Sequence, residues 1–126
     1  ERFQVEEVSV LSGTFATPSA TVALRVDGEP CKATALGIGP VDAVFKAIAD
    51  LTETKSELER FQVNAITGGM DALGEVSVSV VEGERRVIGN GADPDIIVAS
   101  ARAYVHALNK LEWHKRRRGA SEPKGI

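Results

Sequence analysis

Few side chains in this chain could do chemistry. Two histidines, His106 and His114, stand eight positions apart on one predicted helix, with no carboxylate spaced to orient either. Neither a metal set nor a catalytic triad is written in that pattern, and His106 reads as a solvated helix residue. Cys31 is the single cysteine, which excludes an internal disulfide and a zinc site of several thiolates; it reads as a half-buried strand residue. The carboxylates fall at turns, caps and strand edges, so no acid and base are paired. What remains are two Gly-x-Gly sequences, Gly37-Ile38-Gly39 and Gly89-Asn90-Gly91, each read as following a strand and opening a helix. A third glycine at dinucleotide-fingerprint spacing is missing, and the surrounding unit is not β-α-β. Two readings follow. Either the glycines let a small anion, carboxylate or phosphate, reach backbone N–H groups at a helix N-terminus, or they only make tight strand-to-helix turns.

The elements around these glycines come in two sets. Phe3 to Leu11 alternates as a strand and stops at Ser12-Gly13; Thr21 to Val26 follows, then the hairpin signal Asp27-Gly28, then a strand from Cys31 to Leu36. Gly39-Pro40 starts a helix whose apolar stripe is Val41, Val44, Phe45, Ile48 and Leu51. After a polar connection, Thr52 to Glu57, the order returns: a strand Phe61 to Ile66, a loop containing Thr67-Gly68-Gly69, and a strand Val76 to Val80. Glu82-Gly83 then turns the chain into Arg85 to Ile88. The last helix is expected to have Asp93 as N-cap and Pro94 at its first position, and to run to about Trp113. Ala99, Ala103 and Ala107 give it a smooth strip where another backbone can come close.

Glu1-Arg2-Phe3-Gln4-Val5 recurs unchanged as Glu59-Arg60-Phe61-Gln62-Val63 at an offset of 58 residues, and the later turn signals keep their order at offsets of 55 and 52. The reading is a duplicated unit, two copies packed about a pseudo-twofold axis. The fold class is therefore α+β: two pseudo-symmetric β-β-β-α units, 1–52 and 58–113, with helices packed against antiparallel sheet. They form one domain, 1–113, followed by a basic tail, 114–126, expected to fray into solvent. An apolar sheet face left over would be covered most simply in a symmetric dimer. If the axis brings the two Gly-x-Gly turns together, two helix N-termini face one cavity with Val41, Ala92 and Ile96 as apolar neighbours and Asp42, Asp93 and Asp95 at its edge. Donors, acceptors and an apolar slot are what an aliphatic amino acid requires.

Composition sets outer bounds. The chain has 126 residues, 43% hydrophobic and 26% charged, with a net charge of −3. Those are the proportions of an ordinary globular domain. Mixed charge argues against a nucleic-acid surface, leaving only His114-Lys115-Arg116-Arg117-Arg118 as a basic run. No apolar run approaches the roughly 20 residues of a membrane span, and no signal peptide opens the sequence, so a cytoplasmic location is expected.

Three motifs in order carry a resemblance. Gly37-Ile38-Gly39-Pro40-Val41-Asp42-Ala43, the Thr67-to-Glu75 loop, and Gly89-Asn90-Gly91 leading through Asp95-Ile96-Ile97 to Ala107-Leu108-Asn109 resemble the C-terminal regulatory domain of the α-isopropylmalate synthase family, over about Phe3 to Asn109. The similar domain of citramalate synthase shares the pattern. The resemblance implies two β-β-β-α units, a homodimer, and feedback inhibition by leucine, or by isoleucine in the citramalate case. It implies a parent acyltransferase that condenses acetyl-CoA with 2-oxoisovalerate on a catalytic barrel of the same polypeptide, where a divalent metal is expected. This chain carries none of that barrel. The chain alone is therefore expected to be non-catalytic and to hold no cofactor, with neither nucleic acid nor membrane as a partner.

Carried over position by position, the resemblance implies an effector pocket from Gly37, Gly39, Val41 and Asp42 at the first helix, Leu58, Phe61, Ala65, Ala72 and Gly74 at the start and loop of the second unit, and Ala92, Asp93 and Pro94 before the second helix. Asp42 and Asp93 replace small apolar residues of some relatives, and each could cap its helix or meet a ligand ammonium. Beside this sensor reading stands a second class, a dimerisation module whose glycines only turn the chain.

Overall fold

A computed structural model describes residues 1–66 and 72–121. The element order is β1 (Phe3–Leu11), β2 (Ser19–Val26), β3 (Glu29–Leu36), α1 (Pro40–Thr52), β4 (Glu57–Ile66), β5 (Gly74–Glu82), β6 (Arg85–Asp93) and α2 (Ile96–Ser121). Two antiparallel three-stranded sheets result, ordered β1-β2-β3 and β4-β5-β6, each followed by its helix. This is the expected pair of β-β-β-α units. One buried core runs through both, with Val22 and Leu24 of β2, Val76, Val78 and Val80 of β5, and the inward stripes of α1 and α2.

The hairpins explain where the strands turn. Asp27 and Gly28 both have positive φ, 52° and 84°, as a two-residue turn of the primed kind requires. In the second hairpin Glu82 pairs with Arg85, so the turn is Gly83-Glu84, and Gly83 supplies the positive φ of 62°. Matching hairpin mouths, Val26↔Glu29 and Glu82↔Arg85, and helix starts, Pro40 and Ile96, all differ by 56 residues. The architecture is duplicated, but the repeated pentapeptide is not in register. Phe3 pairs with Val26 at the hairpin mouth, whereas Phe61 pairs with Val78, four residues inward from Glu82. The bulge between Leu58 and Arg60 in β4 matches the one between Val5 and Glu7 in β1, so Phe61 stands at the place of Val8 and not of Phe3. Identical peptides thus occupy different places: Phe3 is buried and Phe61 is half-exposed.

Three further expectations change. Gly89 and Gly91 lie inside β6 and do not open a helix. A Cβ on Gly89 would sit 2.8 Å from Ala107 Cα, and one on Gly91 would sit 2.6 Å from Ala103 N, so these glycines let α2 lie almost on the strand. The smooth strip of Ala99, Ala103 and Ala107 is the matching surface, and all three are fully buried. At the 56-residue offset the first unit has Ala33 and Ala35 there, packed against the core. Secondly, β4 begins at Glu57, so the connection after α1 is shorter than read. Thirdly, α2 passes Trp113 and continues to Ser121. Two residues of its basic run are held: Lys115 pairs with Glu82 at 2.8 Å and Glu112 at 3.2 Å, and the Arg117 guanidinium lies 4.9 Å over the Trp113 ring.

The helices cover the sheets unequally. α1 lies over β2 and β3, while α2 lies over β5 and β6 and reaches back to β1. Among the described residues no helix lies over β4. Its apolar side chains Leu58, Phe61 and Val63, on the same face as the buried valines of β5, stay 44%, 38% and 41% exposed.

Candidate functional site

The start of α1 is built by one carboxylate and one glycine. Gly37 N–H donates to Pro18 O at 3.0 Å, closing the end of β3 against β2. A Cβ there would lie 2.5 Å from Ala43 N and 2.7 Å from Asp42 Oδ2, so only glycine fits under the first helical turn. Asp42 Oδ2 accepts the Ile38 N–H at 3.0 Å and pairs with Lys46 Nζ at 3.1 Å. The Ile38 N–H first, and Lys46 second, hold the Asp42 carboxyl below its usual range. Gly39 is the N-cap, with extended backbone (φ −161°) and no side chain to bond the first turn. Pro40 has no N–H to lose, and the N–H groups of Val41 and Asp42 are left to solvent or a ligand.

The start of α2 is chemically different. Asp95 caps it: Oδ1 accepts from Ile97 N at 2.7 Å and from Val98 N at 3.4 Å. Asp93, the N-cap expected from sequence, accepts the Asp95 N–H at 3.0 Å and lies 3.7 Å from Arg102, and Pro94 falls before the helix. The reason is spacing, since Asp95 stands directly before Ile96 and its short side chain reaches two orphan N–H groups at once. So the two helix N-termini are not equivalent. At α2 a carboxylate caps the first-turn N–H groups, whereas at α1 the first-turn carboxylate of Asp42 turns back to the Ile38 N–H and leaves those of Val41 and Asp42 uncapped. Both aspartates in question, Asp42 and Asp93, are engaged within their own turns.

The remaining predicted residues fall in two places. Gly74 pairs with Asp93 and Glu75 with Ala92, which puts the start of β5 beside the approach to α2. Ile96 lies directly over Gly74, where a Cβ would meet Cγ1 at 3.0 Å. Ala72 is half-buried next to them. Leu58 and Phe61 stand on the uncovered face of β4, and Ala65 pairs with Glu75 near its end. The expected Thr67-Gly68-Gly69-Met70-Asp71 stretch lies outside the described residues. Gly74, Ala92, Asp93 and Pro94 therefore sit together, Gly37, Gly39, Val41 and Asp42 sit together, and Phe61 links toward the second cluster through a ring contact with Phe45 of α1, 5.7 Å between centroids at 74°. A cleft of about 330 Å³ bordered by Asn64, Glu75 and Asn90 touches the predicted set through Ala92.

Sequence reasoning missed three features. Phe45, whose only signal was its place in the apolar stripe of α1, also meets Tyr104 of α2, 5.0 Å between centroids at 61°. His106 is not simply solvated, because its Nδ1 accepts the Asn90 N–H at 2.9 Å, covering the free edge of β6. Lys110 Nζ reaches Ile88 O on the same edge, one helical turn on. Among the described residues no three His, Cys, Asp or Glu side chains are grouped to hold a metal, and no helix is long and apolar enough to cross a membrane.

The described residues thus present an open helix N-terminus, a capped one and a half-covered apolar strand, and no acid, base and nucleophile converge among them. The family model for the LeuA allosteric (dimerisation) domain matches residues 1–112, and the chain belongs to that family. It is similar to the 2-isopropylmalate synthase of Syntrophus aciditrophicus, 49% identical over 94% of this chain and 23% of the relative. It is likewise similar to those of Nitratidesulfovibrio vulgaris, 50% identical over 79% of this chain and 20% of the relative, and Dechloromonas aromatica, 50% over 88% and 22%. The chain spans about a fifth to a quarter of the length of these relatives.

Proposed function

We propose that this chain is the leucine-binding, feedback-inhibiting and dimerising domain of a 2-isopropylmalate synthase, whose catalytic part condenses acetyl-CoA with 2-oxoisovalerate. The observation that carries the reading is the uncapped start of α1, with free N–H groups at Val41 and Asp42, in a chain whose other helix is capped by Asp95. An amino-acid carboxylate fits such an N-terminus, where the helix dipole adds attraction. Phe61 and Leu58 offer an apolar wall for the aliphatic side chain, and the engaged state of Asp42 and Asp93 points to backbone carbonyls or the partner copy as acceptors for the ammonium. The effector acts by binding one arrangement of the paired domains better and so shifting its population.

The same uncovered strand supports the assembly half of the reading. Leu58, Phe61 and Val63 form an apolar row that a second copy would cover in a homodimer. Isoleucine, with citramalate synthase as parent, is the competing effector, because the two amino acids differ only in where a methyl branches. Calorimetric titration of the purified chain with leucine, isoleucine and valine separates the cases. Saturable heat strongest with leucine supports the proposal, isoleucine strongest moves the parent, and heat from none leaves a dimerisation module.

A further inference from the structure

Phe45 and Tyr104 lie outside the predicted pocket, yet they determine how its main aromatic residue stands. The Cα atoms of α1 and β4 nowhere come within 8 Å of each other among the described residues, so the two are joined through long side chains. Phe61 projects from a strand that no helix covers, and it is 38% exposed. Its ring meets Phe45 nearly perpendicularly, and Phe45, itself buried, is set in turn by Tyr104, also buried. Three rings thus run from β4 through α1 to α2. Edge-to-face pairs prefer a narrow range of angles, so a fixed Phe45 confines Phe61 to few orientations.

We propose that Phe45 is a specificity-determining positioning residue: by fixing the Phe61 ring it sets the shape of the apolar slot that separates leucine from its branched isomers. The inference rests on the effector reading above. It goes beyond that reading in assigning the choice among isomers to a residue that need not touch the ligand. One methyl displaced in a fitted pocket changes affinity by about 10- to 200-fold, and a wall free to rotate gives much of that up.

The test uses the chain with phenylalanine selectively labelled for NMR, in the parent form and as Phe45→Leu, Phe61→Leu and the double variant. In the parent chain Phe61 ring signals should be displaced by the neighbouring ring; in Phe45→Leu they should move toward freely rotating positions. The leucine-to-isoleucine affinity ratio should fall about tenfold in Phe45→Leu. The double variant should have the ratio of Phe61→Leu alone, because Phe45 acts through Phe61. Phe45→Tyr, which keeps the ring, should retain both the signals and the ratio. Phe45→Met replaces Phe45→Leu if the latter does not fold. Unmoved Phe61 signals, an unchanged ratio, or additive losses in the double variant overturn the proposal while leaving the sensor reading intact. A parent chain that binds neither amino acid overturns both.

Discussion

The side-chain amide of Asn109 holds both backbone groups of Phe3: Oδ1 accepts the Phe3 N–H at 2.9 Å and Nδ2 donates to the Phe3 carbonyl at 2.9 Å. The amide thus takes the place of a neighbouring strand at the free edge of β1. It joins the two units across 106 residues of sequence. Phe3 is only 3% exposed, so water does not replace a lost partner easily. Asn109→Ala should therefore destabilise the fold by about 2–3 kcal/mol, the cost of leaving buried donor and acceptor unpaired. Urea unfolding followed by circular dichroism measures this, and a loss below about 0.5 kcal/mol, the level of ordinary surface substitutions, would show that the edge is satisfied some other way.

Gly89 and Ala107 make a second such pairing, of backbone against backbone. No side chain fits between strand and helix, since even a methyl on Gly89 would press on Ala103 O and on Ala107. Gly89→Ala should cost about 1–3 kcal/mol through overpacking, with Gly91→Ala similar, whereas Gly39→Ala, where a Cβ meets nothing within 4 Å, should cost far less. Thermal unfolding of the three variants orders them. Equal losses at all three positions would mean that α2 can lift off β6 freely.

These glycines also mark how far the sequence could be read. The start of α1 was legible because Gly39 and Pro40 act locally, through N-cap and fixed φ, and the bounds of β1 follow from alternation ended by Ser12-Gly13. Gly-x-Gly at 89–91 has the same local look as at 37–39, but its cause is tertiary: the residues it spares lie 8 to 18 positions away on α2. The repeated pentapeptide misleads in the same way, because pairing with β5, not residue identity, decides which position Phe61 takes in β4: opposite Val78 it matches Val8, which lies opposite Val22. At the candidate site, both helix starts could be located, but which of them stays open depended on whether Asp93 or Asp95 reached the free N–H groups. That is a matter of two residues in phase. Exposure of Leu58 and Phe61 could not be foreseen, since the sequence does not say which strand a helix leaves bare.

Glu112 links Arg2 of the chain start to Lys115, one turn further along α2. Burial alone would push its carboxyl up, but hydrogen bonds from Arg2 and Lys115 outweigh that and bring it below the usual glutamate value of 4.5. A carboxylate depressed in the folded state contributes stability above its unfolded value and loses it as pH falls through the folded one. The parent chain should accordingly lose stability on acidification below about pH 4.5. Glu112→Gln should be less stable at pH 7 and should show a shallower fall between pH 5 and pH 3, by up to one proton's slope. Denaturant midpoints at half-unit intervals of pH reveal the difference; parallel curves for the two proteins would remove Glu112 from the acid limb.

Gly39 offers the cleanest test of where an effector carboxylate sits. Its backbone is extended, a conformation open to any residue, and a side chain there enters free space. Aspartate is moreover a favoured N-cap, so Gly39→Asp should fold as well as the parent and change stability by only a few tenths of a kcal/mol, in the stabilising direction. Yet its carboxylate would bond the same first-turn N–H groups that an amino-acid carboxylate requires, and would repel it electrostatically. This would reproduce at α1 the self-capped state that Asp95 gives α2. Leucine affinity should drop at least about tenfold, equivalent to about 1.4 kcal/mol. Gly39→Ala, which adds a methyl but no charge, should bind within about threefold of the parent chain, well under 1 kcal/mol. If calorimetry instead finds leucine bound equally by Gly39→Asp and the parent, the carboxylate is held elsewhere and the open start of α1 is only a turn.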